Sequence, residues 1–162
     1  MATKAKKTIS YADRSEIEKV NSQWRKLSGL NTRREWSAAV VRAATAAELA
    51  ATLVIRKELS SRTDFDDAMV NSLLIWANGL DGKVNRLILP LLKNQPKRHK
   101  AASKLYGDAM KKASRKRNEI VHGGHFCSKN EAVTLIAACK TFVEGMVTPY
   151  HEDFELSDPG SL

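Results

Sequence analysis

Between positions 115 and 124 the chain reads Arg-Lys-Arg-Asn-Glu-Ile-Val-His-Gly-Gly. Arg117, Asn118 and His122 supply a fixed cation, an amide and an imidazole, all within about two helical turns. Those are the groups needed to hold a phosphate and to move a proton beside it. On an ideal helix Asn118 and His122 share a face, and Arg115 and Lys111 complete the stripe. Arg117 is set about 140° away from His122 at roughly 100° per residue, so one straight helix does not aim both at one phosphate. Two arrangements remain open. The helix ends at His122, with Gly123 in the left-handed capping conformation and the ring free to swing. Alternatively, two copies meet across a two-fold axis and build a composite pocket, which predicts a homodimer.

The segment leading into this stretch is strongly basic. Lys97 to Arg117 holds nine Lys or Arg residues and one acid, Asp108, in a chain whose net charge is +9. A charge run is usually a solvated helix face. This one sits on the element that carries the candidate chemistry, so an anionic partner such as nucleic acid is expected. Lys111, Lys112, Arg115 and Lys116 suit backbone-phosphate contacts better than catalysis. Bland roles compete: His122 as a cap at a helix C-terminus, and Arg117 in a structural ion pair with Glu48. His122, His125 and Cys127 fall short of the four ligands zinc normally takes, so neither metal nor cofactor is expected. No phosphate loop, dinucleotide fingerprint or serine-hydrolase elbow occurs.

The elements that must position these residues read as helices throughout. Residues 1–9 form a basic arm, residues 10–148 one helical domain, and residues 149–162 an acidic tail, either loose or laid across a neighbour. Within the domain the first helix spans Ser10 to Leu27, capped by Ser10 and stopped by Ser28-Gly29-Leu30-Asn31. The second, about Arg34 to Leu59, is the most apolar and so the central one, with alanines that let neighbours approach closely. Glu48 interrupts it and needs a gap to solvent or a buried cation. Thr63 to Asp67 opens a third helix that Gly79-Leu80-Asp81-Gly82 breaks, and Lys83 to Leu92 restarts it. A fourth runs from Arg98 to His122 and a fifth from Lys129 to Val147. Trp24, Trp36 and Trp76 fall on apolar stripes and read as core anchors. The architecture expected is all-α, an antiparallel bundle of about five helices.

Arg117-Asn118-Glu119-Ile120-Val121-His122 resembles the Arg-Asn-x3-His signature of HEPN domains, the higher-eukaryote and prokaryote nucleotide-binding family. The alanine-rich helix from Ala43 to Leu59, followed by Gly79 to Leu87, is similar to a segment of several HEPN-related groups, and the likeness in helix order covers residues 34–147. Ala113 stands where several members carry a small polar residue, with Ser114 beside it. The resemblance implies a dimerising helical bundle that cleaves RNA without a metal, in toxin, defence or RNA-processing systems. On that likeness Arg117 would contact the scissile phosphate, Asn118 would position the site, His122 would act as general base or acid, and Lys111, Lys112, Arg115 and Lys116 would hold RNA. An antitoxin or regulatory protein would be a possible partner. The alternative is a non-catalytic helical regulator of nucleic acid or protein, because a group resembling the mannitol operon repressor keeps a similar segment.

Composition sets the outer limits. Hydrophobic residues make up 43% of the chain, enough for one buried core, and no run of about 18 apolar residues suggests a membrane span. The two cysteines, Cys127 and Cys139, do not make a disulfide framework, which fits a reducing cytoplasm.

Overall fold

A computed structural model describes residues 9–160; the basic arm of residues 1–9 lies outside them, Ile9 excepted. The protein is all-α, with no strand among the described residues. Helix α1 (Glu16–Thr32) begins five residues later than the apolar spacing suggests. Ser15 and Glu18 form a reciprocal capping box: the Glu18 amide donates to Ser15 Oγ at 3.3 Å and the Ser15 amide to Glu18 Oε2 at 2.9 Å. Ser10, the expected cap, instead donates to Asp13 Oδ2 at 2.6 Å in a turn upstream. The helix then runs through its expected stop, with the Ser28 and Thr32 hydroxyls turned back on the carbonyls of Trp24 and Ser28. It ends at a turn in which Arg34 takes a φ of 61°. Replacing Ser15 by Ala would remove the cap at a cost of about 1 kcal/mol.

Helix α2 (Trp36–Ser60) is the hub, packed by α1 on one side and by the Asp108–Gly123 helix, the Lys129–Val147 helix and the Lys83–Ile88 segment on others. Ala39, Ala43, Ala46, Ala47, Ala50 and Ala51 are all fully buried. Their lack of side-chain bulk lets those helices close on one backbone, and a larger residue there would overpack the site by about 1–3 kcal/mol. Leu27, Ile136 and Phe142, brought in by the surrounding helices, are completely buried. Each contributes about 1.5–3 kcal/mol of transfer free energy. By length and apolar content α2 and the Lys129–Tyr150 segment could each cross a membrane, yet both bury their apolar stripes against the bundle.

Helix α3 (Asp67–Trp76) starts where Asp66 accepts the Met69 amide at 2.8 Å. It packs loosely, with Val70 its one buried residue, so Trp76 is 57% exposed and is no core anchor. The expected break falls just ahead of the glycines, at Ala77 and Asn78, and Gly79 to Gly82 already opens the next helical run. Helix α4 (Gly79–Gly82) passes into a π-helical turn, Lys83–Ile88, and then into α5 (Leu89–Leu92). Gly82 is required by close packing: a Cβ there would sit 2.9 Å from the Ala77 backbone.

The expected single helix from Arg98 to His122 is two helices, α6 (Pro96–Leu105) and α7 (Asp108–Gly123). The break has two causes. Gly107 adopts an extended conformation that caps α7, and Tyr106 turns inward, edge-on to Phe142 at 6.2 Å. Helix α8 (Lys129–Val147) has its expected bounds, set by a second capping box between Ser128 and Glu131.

The described part of the acidic tail, residues 149–160, is docked on the bundle. Leu156 is buried, and its amide donates to Glu144 Oε1 at 2.9 Å. Trp24 Nε1 donates to the Ser157 carbonyl at 2.8 Å, and Asn31 Nδ2 to that of Pro159 at 3.0 Å. A buried ionic cluster ties α2 to α6 and to the segment after α8. The Glu58 carboxylate accepts from Arg98 at 2.6 Å, from Tyr150 Oη at 2.5 Å and from Arg62.

Candidate functional site

Helix α7 divides its residues between two faces. Met110 and Ala113 are buried, and Ile120 packs half-buried beside the core. On the opposite side Lys111, Arg115, Asn118 and His122 are all exposed, as their helical spacing requires. None of the four is in an ion pair among the described residues. His122 is flanked by exposed apolar side chains, Val121 at 47% and Phe126 at 87%.

Arg117 follows Met110 and Ala113 along the core-facing row of the helix and is half-buried. Its Nη1 donates to the Asn118 side-chain oxygen at 2.9 Å. Side-chain length thus offsets part of the 140° between Arg117 and His122, because the guanidinium turns toward the amide that shares a face with the imidazole. The helix does not end at His122. Gly123 is its last residue and Gly124, at φ 65° and ψ 21°, takes the left-handed cap expected of Gly123. The amides of Gly124 and His125 both donate to the Glu119 carbonyl. The ring of His125 folds over Gly123, where an added Cβ would meet it at 2.9 Å.

The four basic candidates are not alike. Lys111 lies over the Tyr106 ring, its Nζ 5.7 Å from the centroid. Lys112 and Arg115 are exposed. Lys116 is instead bound to Glu131 at 3.1 Å, with a side chain only 18% exposed. That carboxylate is held down at about 2 by hydrogen bonds from the Ser128 backbone, Lys116 and the Ser128 hydroxyl, and the same contact raises Lys116. Lys116 therefore works first as a brace between α7 and the start of α8. A groove of about 520 Å³ runs between these two helices, lined by Lys112, Arg115, Lys116, Glu119, Glu131 and Leu135 among others. Arg117, Asn118 and His122 do not line it.

Glu48 does not support Arg117. Its carboxylate accepts from Lys83 Nζ at 2.7 Å, and it is Lys83, 7% exposed, that is the buried member of the pair. The π-helical turn packs on α2 and brings Lys83 to Glu48, whereas the Arg117 guanidinium is bonded to Asn118. Cys127 is buried, its amide donating to Ser37 Oγ at 2.8 Å, and no three potential metal ligands converge among the described residues.

Sequence reasoning missed three arrangements: the Glu58 cluster, the contact of Tyr106 Oη with Asp81 at 3.0 Å, and the stacking of Arg86 on Trp76. The one local signal was the i, i+4 spacing of Glu58 and Arg62. The remaining partners come from positions distant in the chain. No protein-family model, curated protein or solved structure matches this chain.

Proposed function

We propose that the protein is a metal-independent endoribonuclease of HEPN type, acting as a homodimer in which the α7 helices of two copies face one another across one RNA strand. The 2′-hydroxyl of the substrate attacks the adjacent phosphorus as its proton passes to a base, and the bond to the 5′-oxygen breaks as that oxygen is protonated. The products are a 2′,3′-cyclic phosphate and a 5′-hydroxyl. His122 serves as base or acid, Arg117 neutralises charge on the phosphate oxygens, and Asn118 holds Arg117 in place. Lys111, Lys112 and Arg115 grip the flanking backbone. Such an activity suits a toxin, a defence factor or an RNA-processing enzyme, with an antitoxin or regulatory protein as its control.

The observation that carries this reading is the hydrogen bond from Arg117 to Asn118. It draws the cation to the edge of a solvent-facing stripe that ends in a histidine without a side-chain hydrogen bond among the described residues. The test is incubation of labelled RNA with purified protein in excess chelator. Cleavage by the parent should fall by about 10²- to 10⁴-fold in His122→Ala. Equal cleavage by both proteins rejects the role of His122.

A non-catalytic regulator is favoured by one feature, the groove between α7 and α8, which lies beside the proposed catalytic residues rather than over them. RNA binding by parent and variant alike, with cleavage by neither, would support that alternative.

A further inference from the structure

We infer that Trp76 and Arg86 form a base-stacking platform for single-stranded RNA, outside the catalytic stripe; this rests on the RNA ligand proposed above. Trp76 closes α3 with its indole 57% exposed, where its apolar neighbours would lead one to expect a core residue. What holds the ring is a cation rather than an apolar wall. The Arg86 guanidinium lies 5.4 Å from the ring centroid, and Nη1 donates to the Trp76 carbonyl at 3.1 Å. An indole fixed in this way presents an aromatic surface next to a positive charge. Nucleobases are recognised by that combination whatever their sequence, because every base has a π-face and every nucleotide an anionic phosphate.

The platform is joined to the stripe on α7. Asn85, beside Arg86, donates to Asp81 Oδ1 at 2.9 Å, and the same oxygen accepts from Tyr106 Oη at 3.0 Å. Lys111, the first cation of the stripe, lies over the Tyr106 ring. Lys111 to His122 spans about 16 Å of helix. Contacts therefore run from Asn85 through Asp81 and Tyr106 to Lys111, and helical spacing carries the line on to Arg115 and His122. The occupant is a nucleotide: Arg86 is in no ion pair among the described residues, and a phosphate brings the charge opposite to it.

The test is fluorescence anisotropy with a fluorescein-labelled oligoadenylate, in the His122→Ala background that keeps the probe intact, alongside the mass in solution. Adding Trp76→Ala should weaken binding about 5- to 100-fold without altering its salt dependence, since lost stacking releases no counterion. Trp76→Phe should restore most of the affinity. Unchanged affinity in Trp76→Ala overturns the platform and leaves the RNA reading standing. A Trp76→Ala protein of lower mass overturns it too, by assigning the surface to a protein contact. If the His122→Ala protein itself binds no oligoadenylate, the RNA ligand is rejected and the platform with it.

Discussion

Two groups of charges in this molecule are arranged in opposite ways. Around Glu58 the carboxylate meets two guanidiniums and a phenol, and the carboxylate is almost wholly out of water. Burial alone would raise Glu58, but hydrogen bonds from Tyr150 and Arg98 and the charges of Arg98 and Arg62 outweigh it and leave it lowered. Along α7 the reverse holds: Lys111, Arg115 and His122 stand in solvent with no acid paired to them among the described residues. A buried charge must be matched because an orphan is costly, whereas an exposed cation keeps its hydration and remains available to a phosphate. The first group holds the fold and the second is free to bind. Lys116 sits at the boundary, on the basic helix but committed to Glu131.

The comparison breaks most readily at its buried member. Glu58→Ala removes the acid shared by Arg62, Arg98 and Tyr150 and should lower stability by about 1.5–3 kcal/mol, since both guanidiniums left behind are about a third exposed. Arg115→Ala should change it by no more than about 0.5 kcal/mol. Urea unfolding of the two variants reads both values, and comparable losses would erase the distinction.

Acid gives a second, smaller separation. Glu58 and Glu131 both ionise more readily in the folded chain than at their ordinary value of 4.5. Their stabilisation is therefore complete above about pH 4.5 and is lost as the pH falls, for Glu131 toward about 2. Thermal melts should decline over that window, and Glu131→Gln should decline less steeply than the parent. A parallel decline would remove Glu131 from the account.

The smallest effect sharpens the exposed side. In the RNA-binding reading, Lys111→Ala and Arg115→Ala should each reduce the slope of log affinity against log salt by about one. Lys116→Ala should change it less, because its ammonium is already neutralised by Glu131. Equal slopes for all three variants would mean that the Lys116 ion pair opens when RNA binds.

How much of this was legible in the sequence depended on whether the deciding partner was near in the chain. Ser128 and Glu131 are three residues apart, so α8 could be read with its bounds. The exposed stripe of α7 follows from helical spacing alone. Gly107 was passed over because one glycine inside a basic, helix-favouring run is tolerated. The inward turn of Tyr106 toward Phe142, together with the extended Gly107, makes the break there. Glu48 advertised its need for a cation, but the choice of Lys83 over Arg117 depends on how the π-helical turn packs on α2. Trp76 had the spacing of a core residue and lacked a neighbouring helix to cover it.

The docking of the C-terminal segment on α1 also constrains the order of assembly. The Trp24 indole is satisfied by a carbonyl 133 positions later. The hairpin of α1 and α2 is local and can form as soon as both helices are made, but its outer seam stays open until translation reaches Ser157. During that interval a tryptophan destined for the interior faces water, and it is at this seam that a nascent chain is most exposed to wrong contacts.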